Sequence, residues 1–211
     1  MKIIHPGIEF ITPIDGGVIL KRIERCGRVC YKSEDKITDE SASSFVANLI
    51  KRGHESVLEH CSFTVKFICD RGVSHEIVRH RLASYSQEST RYCNYGKEGF
   101  GSEITVIEPC YLEPGTPAYR AWSNACIHAE KSYFDMLNAG CTAQEARAVL
   151  PNSLKTEVVM TANLREWRHF LKLRTSAAAH PQMREVATPL LKALQNMIPV
   201  VFDDIGRDAN R

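Results

Sequence analysis

The residues best equipped for chemistry lie in Arg79-His80-Arg81-Leu82-Ala83-Ser84-Tyr85-Ser86-Gln87-Glu88-Ser89-Thr90-Arg91-Tyr92. Arginines, a histidine, hydroxyls and a glutamine are interleaved there, and lysine is absent. A guanidinium presents a rigid fork of donors that grips phosphate or another planar anion through two bonds at once, and serine adds short donors. The preceding run Val73-Ser74-His75-Glu76-Ile77-Val78 has apolar residues at 73, 77 and 78. It reads as a short helix that delivers the guanidinium cluster to the start of an extended, hydroxyl-rich chain. The bland alternative, a solvated basic patch, fits poorly with serines and tyrosines placed between the charges.

Other candidates bracket this segment. Gly53-His54-Glu55-Ser56-Val57-Leu58-Glu59-His60 places two histidines and two carboxylates close together. Their spacing is wrong for H-E-x-x-H zinc ligation, as is that of His75 and His80, so no metal site is expected. In the C-terminal half, Arg147 follows Ala146 in an aliphatic helix pattern, Asn163 and Arg165 stand at a strand-to-helix junction, and Arg174 closes an apolar helix face. Singly, Asn163 reads as an N-cap and Arg174 as a partner for a helix C-terminus. No G-x-G-x-x-G and no P-loop lysine occur, which argues against a Rossmann-type dinucleotide site.

Arg-His-Arg, seven residues, then Ser, with Arg and Tyr following, resembles the signature of flavin-dependent thymidylate synthases. Gly53-His54-Glu55-Ser56, Glu59-His60, Arg147, Asn163, Arg165 and Arg174 match that family in the same order, so the resemblance runs from about residue 53 to 180. It implies conversion of dUMP to dTMP with 5,10-methylenetetrahydrofolate as one-carbon donor, NADPH as reductant and tightly bound FAD. For dUMP it implies Glu76, Arg79, Gln87, Glu88, Ser89, Thr90, Arg91, Arg147 and Arg174, with Arg174 as the catalytic group. For FAD and folate it implies His54, Ser56, Glu59, Arg79, His80, Arg81, Gln87, Asn163, Arg165 and His169. It further implies a homotetramer with active sites shared between subunits. Glu76 and Gln87 depart from familiar members, which carry Gln and Glu there; His169 stands where some carry Asn, and the 175–182 loop differs in length.

Two rival functions use the same residues. A single-strand RNA- or nucleotide-binding module would stack bases on Tyr85, Tyr92 and Tyr95. A zinc hydrolase would use His54, His60 and His80 with a cysteine. A formal charge of +2 is too small for nucleic-acid binding by a whole basic face.

The elements that must position these groups can be read from periodicity and caps. The 211 residues suffice for one domain, and no linker or repeat divides them. Strands are expected at 2–4, 8–12, 62–69, 103–107 and 156–161. Asp15 should cap a helix to about Tyr31, and Thr38 a second one ending at Gly53. Thr116-Pro117 starts a long helix that Gly140 ends, Thr142 and Glu145 form a capping box, and Asn163 with Glu166 caps the next. Pro189 should kink or break the last helix. Strands and helices mix without regular alternation, so the expected fold class is α+β: one domain over residues 1–211, a central mixed sheet flanked by helices. Pro6, Glu9 and Asp15 interrupt any signal-like stretch, and no run reaches membrane-spanning length, so a cytoplasmic protein is expected. Its eight cysteines lack C-x-x-C spacing and are expected to be mostly buried, reduced thiols.

Overall fold

Alternation along two strands lays down the core. In β3 (Ser62–Asp70) Phe63, Val65, Phe67 and Cys69 are buried and alternate with less buried residues up to Asp70, which is buried as well, and in β6 (Lys155–Asn163) Thr156, Val158, Met160 and Ala162 are buried. Successive side chains of a strand point to opposite faces, so one face of each strand is apolar. With β2 (Gly7–Phe10) and β4 (Ala83–Gln87) they form a four-stranded sheet of order β2-β3-β6-β4. A separate parallel pair joins β1 (Lys2–Ile4) to β5 (Thr105–Ile107), with Ile3 opposite Val106. The computed structural model describes residues 1–97, 99 and 101–206. Its mixed α/β architecture, with helices against the sheets, is the expected fold class.

The chain separates into two compact units. The first takes in the described residues of Met1–Ile8, Lys66–Arg79 and Tyr85–Val159. Helix α3 (Arg71–Ile77) follows β3 directly, and the Asp70 carboxylate caps it by accepting from Val73 N at 2.8 Å. Helix α4 (Pro117–Asn138) begins as the sequence indicates: Thr116 Oγ1 accepts from Tyr119 N at 3.2 Å, and Pro117 occupies the first turn, where its missing N–H costs nothing. Gly140, at φ +94°, follows the helix end. The capping box forms, with Thr142 N donating to Glu145 Oε2 at 2.7 Å, and starts α5 (Ala143–Ala146). A 3-10 turn, Arg147–Val149, then carries Arg147 out to the surface. Tyr95, Ile104, Val106, Cys126, Tyr133, Ala146 and Leu154 make this unit's core.

The second unit holds the described residues of Glu9–Val65, His80–Ser84 and Met160–Arg211. Asp15 caps α1 (Gly16–Val29), accepting from Val18 N at 3.0 Å. The helix start abuts Met197 so closely that a Cβ on Gly16 would lie 2.1 Å from the Met197 carbonyl oxygen. Helix α2 (Ser41–Lys51) starts later than Thr38 suggested, because Ser41 Oγ accepts from Thr38 N and holds residues 38–41 as a turn. A 3-10 turn, Glu55–His60, leads into β3. Helix α6 (Leu164–Arg174) is capped by Asn163, whose Oδ1 accepts from Glu166 N at 2.9 Å. The Trp167 ring stacks on Phe63, centroids 4.9 Å apart.

Two expectations are answered here. Of the kink or break expected at Pro189, the break does not occur: helix α7 (Pro181–Met197) runs through it, with Val186, Ala187, Leu190, Leu191 and Leu194 burying its apolar stripe on both sides of the lost hydrogen bond. The cysteines are free, but only Cys61, Cys69 and Cys126 are buried, while Cys30 and Cys110 are exposed. A short helix, α8 (Pro199–Phe202), completes the described chain.

Candidate active site

The Arg79–Tyr92 segment contributes to both units, and each unit gathers its own set of functional side chains.

In the first unit, Gln87 at the end of β4 donates from Nε2 to Ser74 Oγ at 3.0 Å and to Thr156 Oγ1 at 3.3 Å. Glu88 accepts from Lys155 Nζ at 3.0 Å and from the Tyr95 hydroxyl at 3.1 Å. Those bonds fix the start of a turn in which Tyr92 N and Cys93 N both donate to the Ser89 carbonyl. The turn brings buried Thr90 to Arg147, whose Nη1 donates to Thr90 Oγ1 at 3.4 Å. Ser89 Oγ accepts from Arg91 N at 3.3 Å. Arg79 and Arg91 are exposed and Glu76 is partly buried on α3.

Around Thr90 and Arg147 lies a cavity of about 250 Å³, lined also by Arg71 and His75. Its wall holds two guanidiniums and an imidazole and no carboxylate. Arg71 reaches only the Glu88 carbonyl, at 3.5 Å. Such a surface attracts an oxyanion and supplies paired donors for it. Sequence reasoning missed Arg71 and passed over His75. Their separation of four places on α3 was the available signal, since it puts both on one helix face.

In the second unit, His80 is buried against the edge of Phe170, ring centroids 4.8 Å apart. Its Nδ1 lies 3.0 Å from Glu166 Oε1, and Arg174 Nε donates to its Nε2 at 3.1 Å. An arginine Nε–H can only donate, so His80 Nε2 must carry a lone pair. The ring proton is therefore on Nδ1 and is donated to Glu166. Burial, helped by the Arg174 charge and opposed by the Glu166 bond, holds the His80 pKa below its ordinary value. The neutral ring is the form the hydrogen bonds demand.

A cavity of about 550 Å³ is lined by Glu55, Glu59, Leu82, Asn163, Arg165, Glu166, His169 and Lys172. Arg165 Nη1 donates to Glu59 Oε1 at 2.6 Å. His54 and Ser56 are exposed at the head of the Glu55–His60 turn, and Arg81 is exposed beside Leu82. Leu82, 74% exposed, offers apolar contact beside these donors. Below the cavity Arg168 is fully buried, bonded to Glu55 Oε1 at 3.1 Å and Asp204 Oδ2 at 2.7 Å. It also donates to the Val201 carbonyl. Arg168, Glu166 and Lys172 carried no sequence signal beyond helix pattern.

Neither rival arrangement assembles. Among the described residues, the histidine and acid group close enough to share a metal ion is His80, Glu166 and His169, with ligand atoms within 4.8 Å, and not His54, His60 and His80. Both His80 nitrogens are hydrogen-bonded, Nδ1 to Glu166 and Nε2 to Arg174. Tyr95 is 6% exposed with its hydroxyl on Glu88, which removes it as a stacking platform. Tyr85 donates to the Ile77 carbonyl. Only Tyr92 of the three is fully open, beside the Arg91 guanidinium.

Residues 19–200 match the family described as thymidylate synthase complementing protein. The chain belongs to the flavin-dependent thymidylate synthase family. Membership places it among the methyltransferase enzymes and extends the resemblance well beyond residues 53–180. A flavin-dependent thymidylate synthase of Geobacter sulfurreducens is 34% identical over 85% of this chain and 78% of its own. One from Mycolicibacterium vanbaalenii is 35% identical over 94% and 84%. Among solved structures, a UMP/dUMP methylase, PolB from Streptomyces cacaoi, bound with 5-Br dUMP, aligns with a TM-score of 0.77 at 25% identity, covering 96% of each chain. Among the described residues, no helix is long and apolar enough to cross a membrane.

Proposed function

We propose that this member of the family converts dUMP to dTMP, with 5,10-methylenetetrahydrofolate as one-carbon donor, NADPH as reductant and FAD as bound cofactor. The observation that carries the reading is the carboxylate-free cavity of Arg71, His75, Thr90 and Arg147, which suits the phosphate of a nucleoside monophosphate. Ser89 and Arg91 extend this set, with Glu76, Arg79, Gln87 and Glu88 on its flanks. Ser89, whose Oγ accepts from Arg91 N, is assigned to binding dUMP and not to nucleophilic attack.

The uracil ring must become electron-rich at C5 before it attacks a one-carbon electrophile. Arg174 is the group assigned to that step. Its guanidinium, a pure donor, stabilises negative charge on N3 and the ring carbonyls. The neutral His80 ring accepts from the Arg174 Nε and so fixes the direction of the guanidinium.

The 550 Å³ cavity is the assigned flavin site, its wall combining donors with the carboxylates of Glu55, Glu59 and Glu166. Arg165, Lys172 and His169 offer donors to a pyrophosphate, Asn163 offers its amide, and Leu82 offers an apolar contact for a ring system. His54, Ser56, Glu59, Arg79, His80, Arg81 and Gln87 complete the proposed flavin and folate set. When bound, FAD supplies the two-electron reduction that turns a one-carbon bridge into a methyl group. The functional form is a cytoplasmic homotetramer of single-domain chains, residues 1–211, with sites shared between subunits. Titrating apoprotein with FAD while following flavin fluorescence tests the cofactor assignment. Saturable binding with one FAD per chain is expected, and absence of binding overturns it.

A further inference from the structure

Glu166 and His80 are the most deeply buried titratable pair at the site, and the proposed reaction gives neither of them a chemical step. They lie 86 residues apart in sequence yet share a 3.0 Å hydrogen bond. On its other nitrogen His80 accepts from Arg174 Nε at 3.1 Å. The order Glu166, His80, Arg174 is thus an unbroken chain of bonds ending on the guanidinium assigned to the substrate ring. Chemistry fixes its polarity. Arg174 cannot accept, so the His80 proton must sit on Nδ1, where Glu166 supplies the acceptor that a buried N–H needs.

We infer that Glu166 and His80 are positioning residues: Glu166 selects the Nδ1–H tautomer of His80, and His80 Nε2 orients Arg174 toward dUMP. Without Glu166 the imidazole is free to place its proton on Nε2. That N–H then faces the Arg174 Nε–H, the two donors repel, and Arg174 turns away. Packing supports the geometry, because the buried His80 ring lies edge-to-face against Phe170 and His169, which narrows its room to turn. The inference rests on the proposed role of Arg174, and a double-mutant cycle separates the two.

The cycle uses holoenzyme with Glu166→Ala, Arg174→Ala and the double variant, and it measures the dUMP dissociation constant by calorimetry together with kcat. Glu166→Ala should weaken dUMP binding roughly tenfold, the size reached when the partner that orients a functional histidine is removed. In the Arg174→Ala background the same change should alter dUMP affinity less than about twofold, because residues acting through one another are not additive. Glu166→Gln keeps a carbonyl acceptor for Nδ1–H and should restore affinity to within about threefold of wild type. Equal loss in both backgrounds overturns the positioning role and leaves Arg174's assignment standing. Unchanged dUMP binding and turnover in Arg174→Ala overturns that assignment and the inference with it. If Glu166→Ala does not fold, Glu166→Gln decides: a loss of about tenfold or more in folded protein contradicts the account.

Discussion

Arg174 Nε donates to His80 Nε2 at 3.1 Å, and that bond exists only while the imidazole is neutral. A second proton on His80 would have to occupy Nε2, against an N–H and beside a permanent positive charge.

A pH dependence follows from this. The folded His80 pKa is lowered by burial first and by the Arg174 and His169 charges next, while Glu166 opposes the shift. The unfolded chain therefore binds the proton more readily than the folded one. The stability contributed by keeping His80 neutral is present above the ordinary histidine pKa, about 6.5, and is lost as pH falls through the lower folded value. Thermal melts of wild type and His80→Gln between pH 7.5 and pH 5 should show a steeper acid loss of Tm in wild type. Parallel profiles would contradict a buried neutral His80.

Arg168 should matter to stability more than any exposed cation. Its guanidinium is buried and bonded to Glu55, Asp204 and the Val201 carbonyl, so it ties α6 to the Glu55–His60 turn and to the end of the described chain. Burial alone would push the Asp204 carboxyl up, but the Arg168 bonds hold it below its ordinary value. Arg168→Ala leaves the buried Val201 carbonyl without its partner and frees the half-buried Glu55 and exposed Asp204 carboxylates, and should cost about 2 kcal/mol. Urea unfolding of the two proteins checks this. A difference under about 1 kcal/mol would show the cluster to be no more than a surface-type ion pair.

Much of the local structure was legible because its signals are short-range. Asp15, Thr116-Pro117, the Thr142 and Glu145 box and Asn163 each act within four residues, and each forms its cap. Thr38 misled because Ser41 uses the same bond type to close a turn and not to start a helix. The site was legible as residue types but not as partnerships. His80 with Glu166, and Arg168 with Glu55, are 86 and 113 residues apart, and no periodicity reports which helix face meets which strand end. Arg71 was overlooked for a different reason: its spacing from His75 puts both on one helix face, but at a strand-to-helix junction an arginine looks like any solvated charge until Thr90 and Arg147 are placed beside it.

The shared-site proposal is open to subunit mixing. Arg147→Ala and Arg174→Ala proteins, each nearly inactive, would be co-refolded in equal amounts. If each site draws these arginines from different chains, random assembly leaves roughly a quarter of sites with both intact. Recovered activity near that fraction is expected. No recovery from mixed tetramers verified by mass would reject a site divided at this pair.

The reaction itself is tested most directly by analysing the product. Purified enzyme incubated with dUMP, 5,10-methylenetetrahydrofolate, NADPH and FAD should form dTMP, identified by chromatography and mass. Omitting dUMP, the folate or NADPH should abolish product, as should FAD-depleted enzyme assayed without added FAD, and Arg174→Ala should cut turnover by roughly 3 kcal/mol of transition-state stabilisation while remaining folded. No dTMP from the complete mixture, or undiminished dTMP from Arg174→Ala, would contradict the account.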